Sequence, residues 1–296
     1  MWPPSSRTLW IKGGSAMATP TIRREQVAGM NIHYINYSLD YFLDAQQRAG
    51  FKTIELWCAA PHVWLDHLAY FDAKEIAQKI RVRDLTVQVL TPENCTYPYQ
   101  FAAKEPEHVE RSFGYFSNGI RLAQELGCRY MEVNSGWGYW NEDREEAWKR
   151  SWDMLSRLAE FGREHGITLV MESIRPEESQ LVITVKDAKR MMDEVNHPNL
   201  KVMVDTCAMG VAGETLEDWF QTFGEDVRHM HFIDGEPYGH LIWGDGKHHL
   251  GQFIETLNKY HYEGFLGQEI TDGRYYEDPA KHDLRNMKNF ERYMDN

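Results

Sequence analysis

Four apolar runs in the second half of the chain each end on a residue that can ligate a metal. They are Ile167-Thr168-Leu169-Val170-Met171-Glu172, Leu200-Lys201-Val202-Met203-Val204-Asp205, Val227-Arg228-His229-Met230-His231 and Gly264-Phe265-Leu266-Gly267-Gln268-Glu269. Helix-like stretches separate them. Strand ends that converge in this way point to a closed parallel (β/α)8 TIM barrel of class α/β, whose active sites lie at the strand C-termini. Glu172, Asp205, His231 and Glu269 make a hard, oxygen-rich set with one imidazole. Such a set suits one divalent ion, Mn²⁺, Co²⁺ or Mg²⁺, better than a thiolate-preferring structural zinc, with Zn²⁺ and Ni²⁺ still admissible.

Working back toward the N-terminus, the same alternation continues. Strands are expected at Met30–Tyr37, Thr53–Cys58, Thr86–Leu90 and Tyr130–Asn134. The helices between them cover Tyr41–Ala49, Ala73–Arg83, Glu107–Leu126 and Glu142–His165, with Gly50, Gly127 and Gly166 as stops. Later helices fall near Val185–Val195, Leu216–Phe223, Leu250–Tyr260 and Pro279–Tyr293. Eight strand–helix units with apolar strands imply a parallel sheet covered by helices. An open doubly wound sheet would carry a glycine-rich phosphate turn after its first strand, and Asn36-Tyr37-Ser38-Leu39 is not one. Residues 29–296 read as one TIM-barrel domain. Residues 1–28 read as a disordered leader or an appended extension, with Met17 as an alternative start.

The 296 residues carry a formal charge of −13 and include 42% hydrophobic residues. That balance argues against nucleic acid or an anionic membrane as partner. No apolar stretch approaches the ~20 residues of a membrane span. The four cysteines, Cys58, Cys95, Cys128 and Cys207, have no CxxC spacing and read as reduced cytoplasmic thiols. The expected partner is a small-molecule sugar or sugar-amine, with self-association left open.

His229 and His231 share one face of their strand, His231 nearer the rim. His229 reads as a hydrogen-bonded core histidine and Glu55 as a structural carboxylate. His33 on the first strand is expected to reach the mouth. Aromatic residues crowd the rims, and Trp57 and Tyr97 are the best placed to stack on a sugar.

These pieces carry a resemblance. Met171-Glu172-Ser173-Ile174 with Glu178, Val204-Asp205-Thr206, His229-Met230-His231 with Gly244-Asp245-Gly246, and Gln268-Glu269 resemble the xylose-isomerase-like sugar isomerase/epimerase superfamily, specifically its ketose 3-epimerase branch. Ile54-Glu55-Leu56-Trp57 with Pro61-His62, and Thr91-Pro92-Glu93 with Tyr97-Pro98-Tyr99, resemble the members that act on ketosamines such as fructoselysine. The resemblance spans about Met30 to Tyr293. It implies that the ion holds O2 and O3 of a ketose, that Glu172 and Glu269 flank C3 as proton carriers, and that Glu178 contacts O1 and O2. Tagatose- and psicose-type members carry a His three residues after the metal Asp and an Arg six after the metal His. Here those positions are Ala208 and Pro237, with His240 the nearest candidate to replace a contact. Aldose–ketose isomerisation and dehydration of an inosose-like ring use the same metal set. A sugar-binding barrel without activity has no need of two opposed carboxylates. The related DNA-repair endonucleases need more His ligands and a basic face.

Overall fold

The structure, a computed structural model, describes residues 21–69, 73–94 and 99–294. In its first half the strands are β1 (Val27–Met30), β2 (Thr53–Cys58), β3 (Thr86–Pro92) and β4 (Tyr130–Val133). β5 (Thr168–Met171), β6 (Leu200–Asp205), β7 (Val227–His231) and β8 (Phe265–Gln268) follow. All pair in parallel in sequence order, and β1 closes on β8 through Ala28 opposite Gly267. The expected (β/α)8 TIM barrel is therefore the fold.

Parallel strands are buried on both faces, which is why they read as near-continuous apolar runs. Leu169, Val170, Val202, Val204 and Leu266 are fully buried. The outer layer comprises α1 (Leu39–Ala49), α2 (Lys74–Arg81), α3 (Pro106–Leu126), α4 (Arg144–His165), α5 (Val185–Val195), the short α6 (Thr206–Val211), α7 (Leu216–Phe223), α8 (Leu250–Lys259) and α9 (Pro279–Glu291). The core sits between this layer and the barrel, where Phe42, Leu158, Ile254 and Phe290 are fully buried. Truncating one such residue, Leu158→Ala, costs about 2–5 kcal/mol. The glycine stops behave as expected: Gly50, Gly127 and Gly166 cap α1, α3 and α4 with φ of 86°, 75° and 71°. None of the helices is long and apolar enough to cross a membrane among the described residues.

The first strand corrects the sequence reading. It occupies Val27–Met30, and the Asn31–Tyr37 stretch expected to extend it turns into a 3₁₀ segment at Ile32–Tyr34. Gly29 weakened the signal where the strand really lies. A Cβ on Gly29 would overlap the Gln46 side chain of α1, so the strand carries glycine for close helix packing. The domain consequently begins before residue 29. Ile22 is buried and pairs with Met294, its N–H bonding Tyr293 O at 2.8 Å. The leader expected up to residue 28 lies, as far as residue 20, outside the described residues.

Candidate functional site

Each donor of the strand-end set is fixed by the way its own strand ends. Asp205 closes β6 and is also the N-cap of α6: its Oδ1 accepts the Ala208 N–H at 2.7 Å. The cap immobilises the carboxylate and leaves Oδ2 facing the barrel mouth. Glu172 follows β5, its N–H bonded to Val133 O of β4 at 2.8 Å. The loop it opens is stapled to the β4–α4 loop, where Ser135 Oγ accepts the Val182 N–H and Ser179 Oγ donates to Gly136 O. Glu269 follows β8 beside Gln268, whose amide donates to Phe232 O and accepts from Asn286.

These side chains meet around His231 Nδ1. Glu172 Oε1 lies 2.7 Å from it, Glu269 Oε2 3.2 Å and Asp205 Oδ2 3.7 Å. One donor atom from each of the four falls within 4.8 Å of every other, a group able to hold a metal ion. Glu172, Asp205 and His231 are 6%, 3% and 1% exposed. Glu172 Oε1 and His231 Nδ1 face each other as a buried ion pair at 2.7 Å, and neither has a further hydrogen-bond partner. Buried polar atoms normally find partners. Here they crowd together with donor atoms of Asp205 and Glu269, an arrangement that suits a common cation.

The electrostatics agree. Burial lifts the Glu172 carboxyl to about 7, helped by Glu269 and Asp205 and opposed by His231. Burial works against a charged His231, but Glu269, Glu172 and Glu55 outweigh it and hold its pKa well above the ordinary value. Burial likewise opposes ionisation of Glu269, yet His231 and His240 keep its pKa well below that of an ordinary carboxyl.

His240, suggested from sequence as a replacement contact, lies in the cluster. Its Nδ1 is 2.8 Å from Glu269 Oε2 and its Nε2 3.6 Å from Asp205 Oδ2. It rides on the β7–α8 loop, which Asp234 organises by accepting the N–H groups of Gly235, Gly244, Gly246 and His248. With Ala208 lining the same cavity, the loop histidine occupies room that a small residue leaves open. Glu178 also lines this cavity and is held by Arg175, whose Nε donates to its Oε2 at 3.0 Å.

Other expectations fare differently. His33 does not open to the mouth: it is 1% exposed, with Nε2 2.9 Å from Asp283 Oδ1 of α9 in a buried group with Tyr34 and Gln46. The turn after Met30 carries it toward α9. Trp57 is the penultimate residue of β2, and its indole N–H donates to Glu93 Oε2 at 3.0 Å. Tyr97 and Cys95 lie outside the described residues. Cys58, Cys128 and Cys207 are buried free thiols. Glu55 and His229, read separately from sequence as hydrogen-bonded interior groups, are bonded to each other, His229 Nε2 donating to Glu55 Oε2 at 2.8 Å.

Two residues escaped the sequence reading. Arg175 lines the cavity. Glu132, on β4, is 1% exposed, accepts from Asn94 at 2.6 Å, and is pushed well above the carboxylate range by burial and by Glu172. The odd charge within an apolar strand was the available signal for Glu132.

Comparison with known proteins bears on this geometry. The family described as xylose isomerase-like TIM barrel matches residues 43–290. Fructoselysine 3-epimerase of Shigella flexneri is 29% identical over 232 residues, covering 77% of this chain and 83% of that protein. D-psicose 3-epimerase of Clostridium cellulolyticum H10, solved with D-tagatose, superposes with a TM-score of 0.74 at 14% identity, over 92% of this chain and 100% of that one. The IOLI protein, solved with a bound zinc atom, gives 0.74 at 17% identity over 92% and 100%. At these identities the two superpositions speak for the fold alone.

Proposed function

The chain belongs to the xylose isomerase-like TIM barrel family and is an isomerase-class enzyme of the sugar epimerase kind; from that premise we propose that it inverts C3 of a ketose or ketosamine using one divalent ion. Glu172, Asp205, His231 and Glu269 are the ligands of that ion. The observation that carries this reading is the convergence of four strand-end donors, three of them buried, whose ligand atoms all lie within 4.8 Å of one another. Three carboxylates and one imidazole favour Mn²⁺, Co²⁺ or Mg²⁺, with Zn²⁺ or Ni²⁺ accommodated. When bound, the ion supplies Lewis-acid polarisation of the C2 carbonyl.

The protein's own groups do the rest. One of Glu172 and Glu269 takes the C3 proton; the C–H electrons become the C2–C3 double bond and the carbonyl π electrons move onto O2. The other glutamate, starting protonated, delivers its proton to the opposite face of C3, and the carbonyl reforms. The two carboxyls exchange protonation states in each turnover, so each serves as base in one direction and acid in the other. Glu178, steadied by Arg175, contacts the O1–O2 end, and His240 contacts the substrate beside Glu269. A reading as an aldose–ketose isomerase shares the metal and differs in the carbon that exchanges.

We take the substrate to be a ketosamine such as fructoselysine. Ala208 and Pro237 replace the two side chains that grip free ketoses in the resembling enzymes, and the Shigella relative acts on fructoselysine by its name. The test is incorporation of deuterium from D₂O, with metal supplied, read position by position by NMR on fructoselysine, psicose and tagatose. Exchange at C3 with inversion, and higher kcat/KM for fructoselysine, is expected. Exchange confined to C1 refutes the epimerase, and a clear preference for a free ketose refutes the substrate alone.

A further inference from the structure

Directly beneath the strand-end cluster, Glu55 of β2 reaches across the barrel. Its Oε2 accepts from His229 Nε2 at 2.8 Å, and its Oε1 lies 3.1 Å from His231 Nε2. Oε1 also accepts the Thr91 hydroxyl of β3 at 2.5 Å. Glu55, His229 and His231 are 0%, 0% and 1% exposed, and Thr91 6%. β8 makes room for this arrangement with Gly267, where a Cβ would overlap Glu55 Oε2 and crowd the His229 ring at 3.1 Å. A carboxylate and two imidazoles could in principle ligate a metal themselves. Here both carboxylate oxygens are already engaged at hydrogen-bond distances by three donors from two strands, His229 and His231 of β7 and Thr91 of β3, so this deeper trio is bonded among itself.

The consequence falls on His231. An ionised carboxylate only accepts hydrogen bonds, so the imidazole nitrogen facing it carries a proton. Nε2 faces Glu55, while Nδ1 faces Glu172, Asp205 and Glu269. We infer that Glu55 is a positioning residue that fixes His231 as its Nε2–H tautomer, turning an unprotonated Nδ1 toward the ion. His229 and Thr91 hold the carboxylate in place, and Gly267 admits it. The inference rests on the metal reading above and goes beyond it: the ion's affinity depends on a strand-two carboxylate that does not touch it. Outer partners that orient a ligating histidine commonly carry about 10–100-fold of metal affinity.

Two measurements on the full chain test it. In ¹⁵N-labelled protein loaded with Zn²⁺, long-range ¹H–¹⁵N correlations of His231 should show a protonated Nε2 and an unprotonated, metal-shifted Nδ1. The reverse assignment overturns the inference without any variant. In Mn²⁺ titrations followed by the EPR signal of the free ion, Glu55→Gln should bind at least about tenfold more weakly than wild type. Gln offers one acceptor to two competing imidazole N–H groups and removes the charge. Wild-type Mn²⁺ affinity in a folded Glu55→Gln overturns this inference alone. Wild-type protein that binds no Mn²⁺ overturns the metal reading together with it.

Discussion

The two halves of the barrel mouth treat buried polar atoms in opposite ways. At the ends of β1–β4 they bond one another. Asn31 accepts the Trp57 N–H at 2.7 Å and donates to Trp57 O at 2.9 Å. Asn134 donates to Asn94 and Asn94 to Glu132, both at 2.6 Å, and the Gly136 N–H closes on Asn134 Oδ1. At the ends of β5–β8, Glu172 Oε1, His231 Nδ1 and His240 Nδ1 lie in close quarters without a hydrogen bond among them. In the first half the strand-end amides are bonded within the chain, and Glu132 Oε1 is the atom of that network left over. The second half gathers three such atoms into one cluster, an arrangement whose cost a shared ligand would relieve.

The comparison is most exposed where the two carboxylates act. Glu172→Gln or Glu269→Gln should lower kcat by about 10²–10⁴-fold, because Gln keeps a ligating oxygen and loses the ability to carry a proton. Mn²⁺ binding should fall less than turnover. Normal turnover in either variant with metal bound would sink the two-carboxylate mechanism.

The next effect is on stability. Mn²⁺ at about 100 times its Kd should stabilise the wild-type protein by about 2.7 kcal/mol, seen as a rise in Tm that chelator reverses. A chain with no such rise has no metal-relieved half. By contrast, Asn31→Ala should cost about 1–3 kcal/mol, since it strands the Trp57 backbone groups and His62. That loss should be the same with and without metal. A loss that metal erases would move Asn31 into the functional half.

The smallest effect concerns pH in chelator-treated protein. The Glu172 pKa is raised to about 7 from 4.5 in the fold. The folded state therefore holds a proton that the unfolded chain releases, and stability from this group is present at low pH and lost as pH rises from about 4.5 to 7. Ion-free Glu172→Gln lacks this loss. Its Tm relative to wild type should climb across that window, and a flat difference would mean Glu172 is not the strained group.

The contrast between the halves also explains what could be read from the chain. β6 and β5 were plain because a buried parallel strand writes itself as an uninterrupted apolar run, and the residue ending that run is forced to the mouth. Glu172, Asp205, His231 and Glu269 were found together for that reason. β1 was displaced because Gly29 answers to Gln46, a contact made by a distant helix face and invisible in local pattern. His33 followed that error to the wrong environment. His240 was named only as a substitute contact, since its place depends on the loop that Asp234 ties together. Glu132 acts through Asn94 and Glu172 from neighbouring strand ends, and Arg175 through Glu178 in its own loop; no spacing along the sequence announces either.

The central claim is that one divalent ion sits at the ends of β5–β8 and not in the trio beneath. Anomalous diffraction from crystals grown with Mn²⁺ tests it most directly. The account predicts a single strong peak with oxygens of Glu172, Asp205 and Glu269 and the Nδ1 of His231 all within about 2.0–2.6 Å. A peak bounded by Glu55, His229 and His231 Nε2, or one from which two or more of the four residues point away, would contradict it.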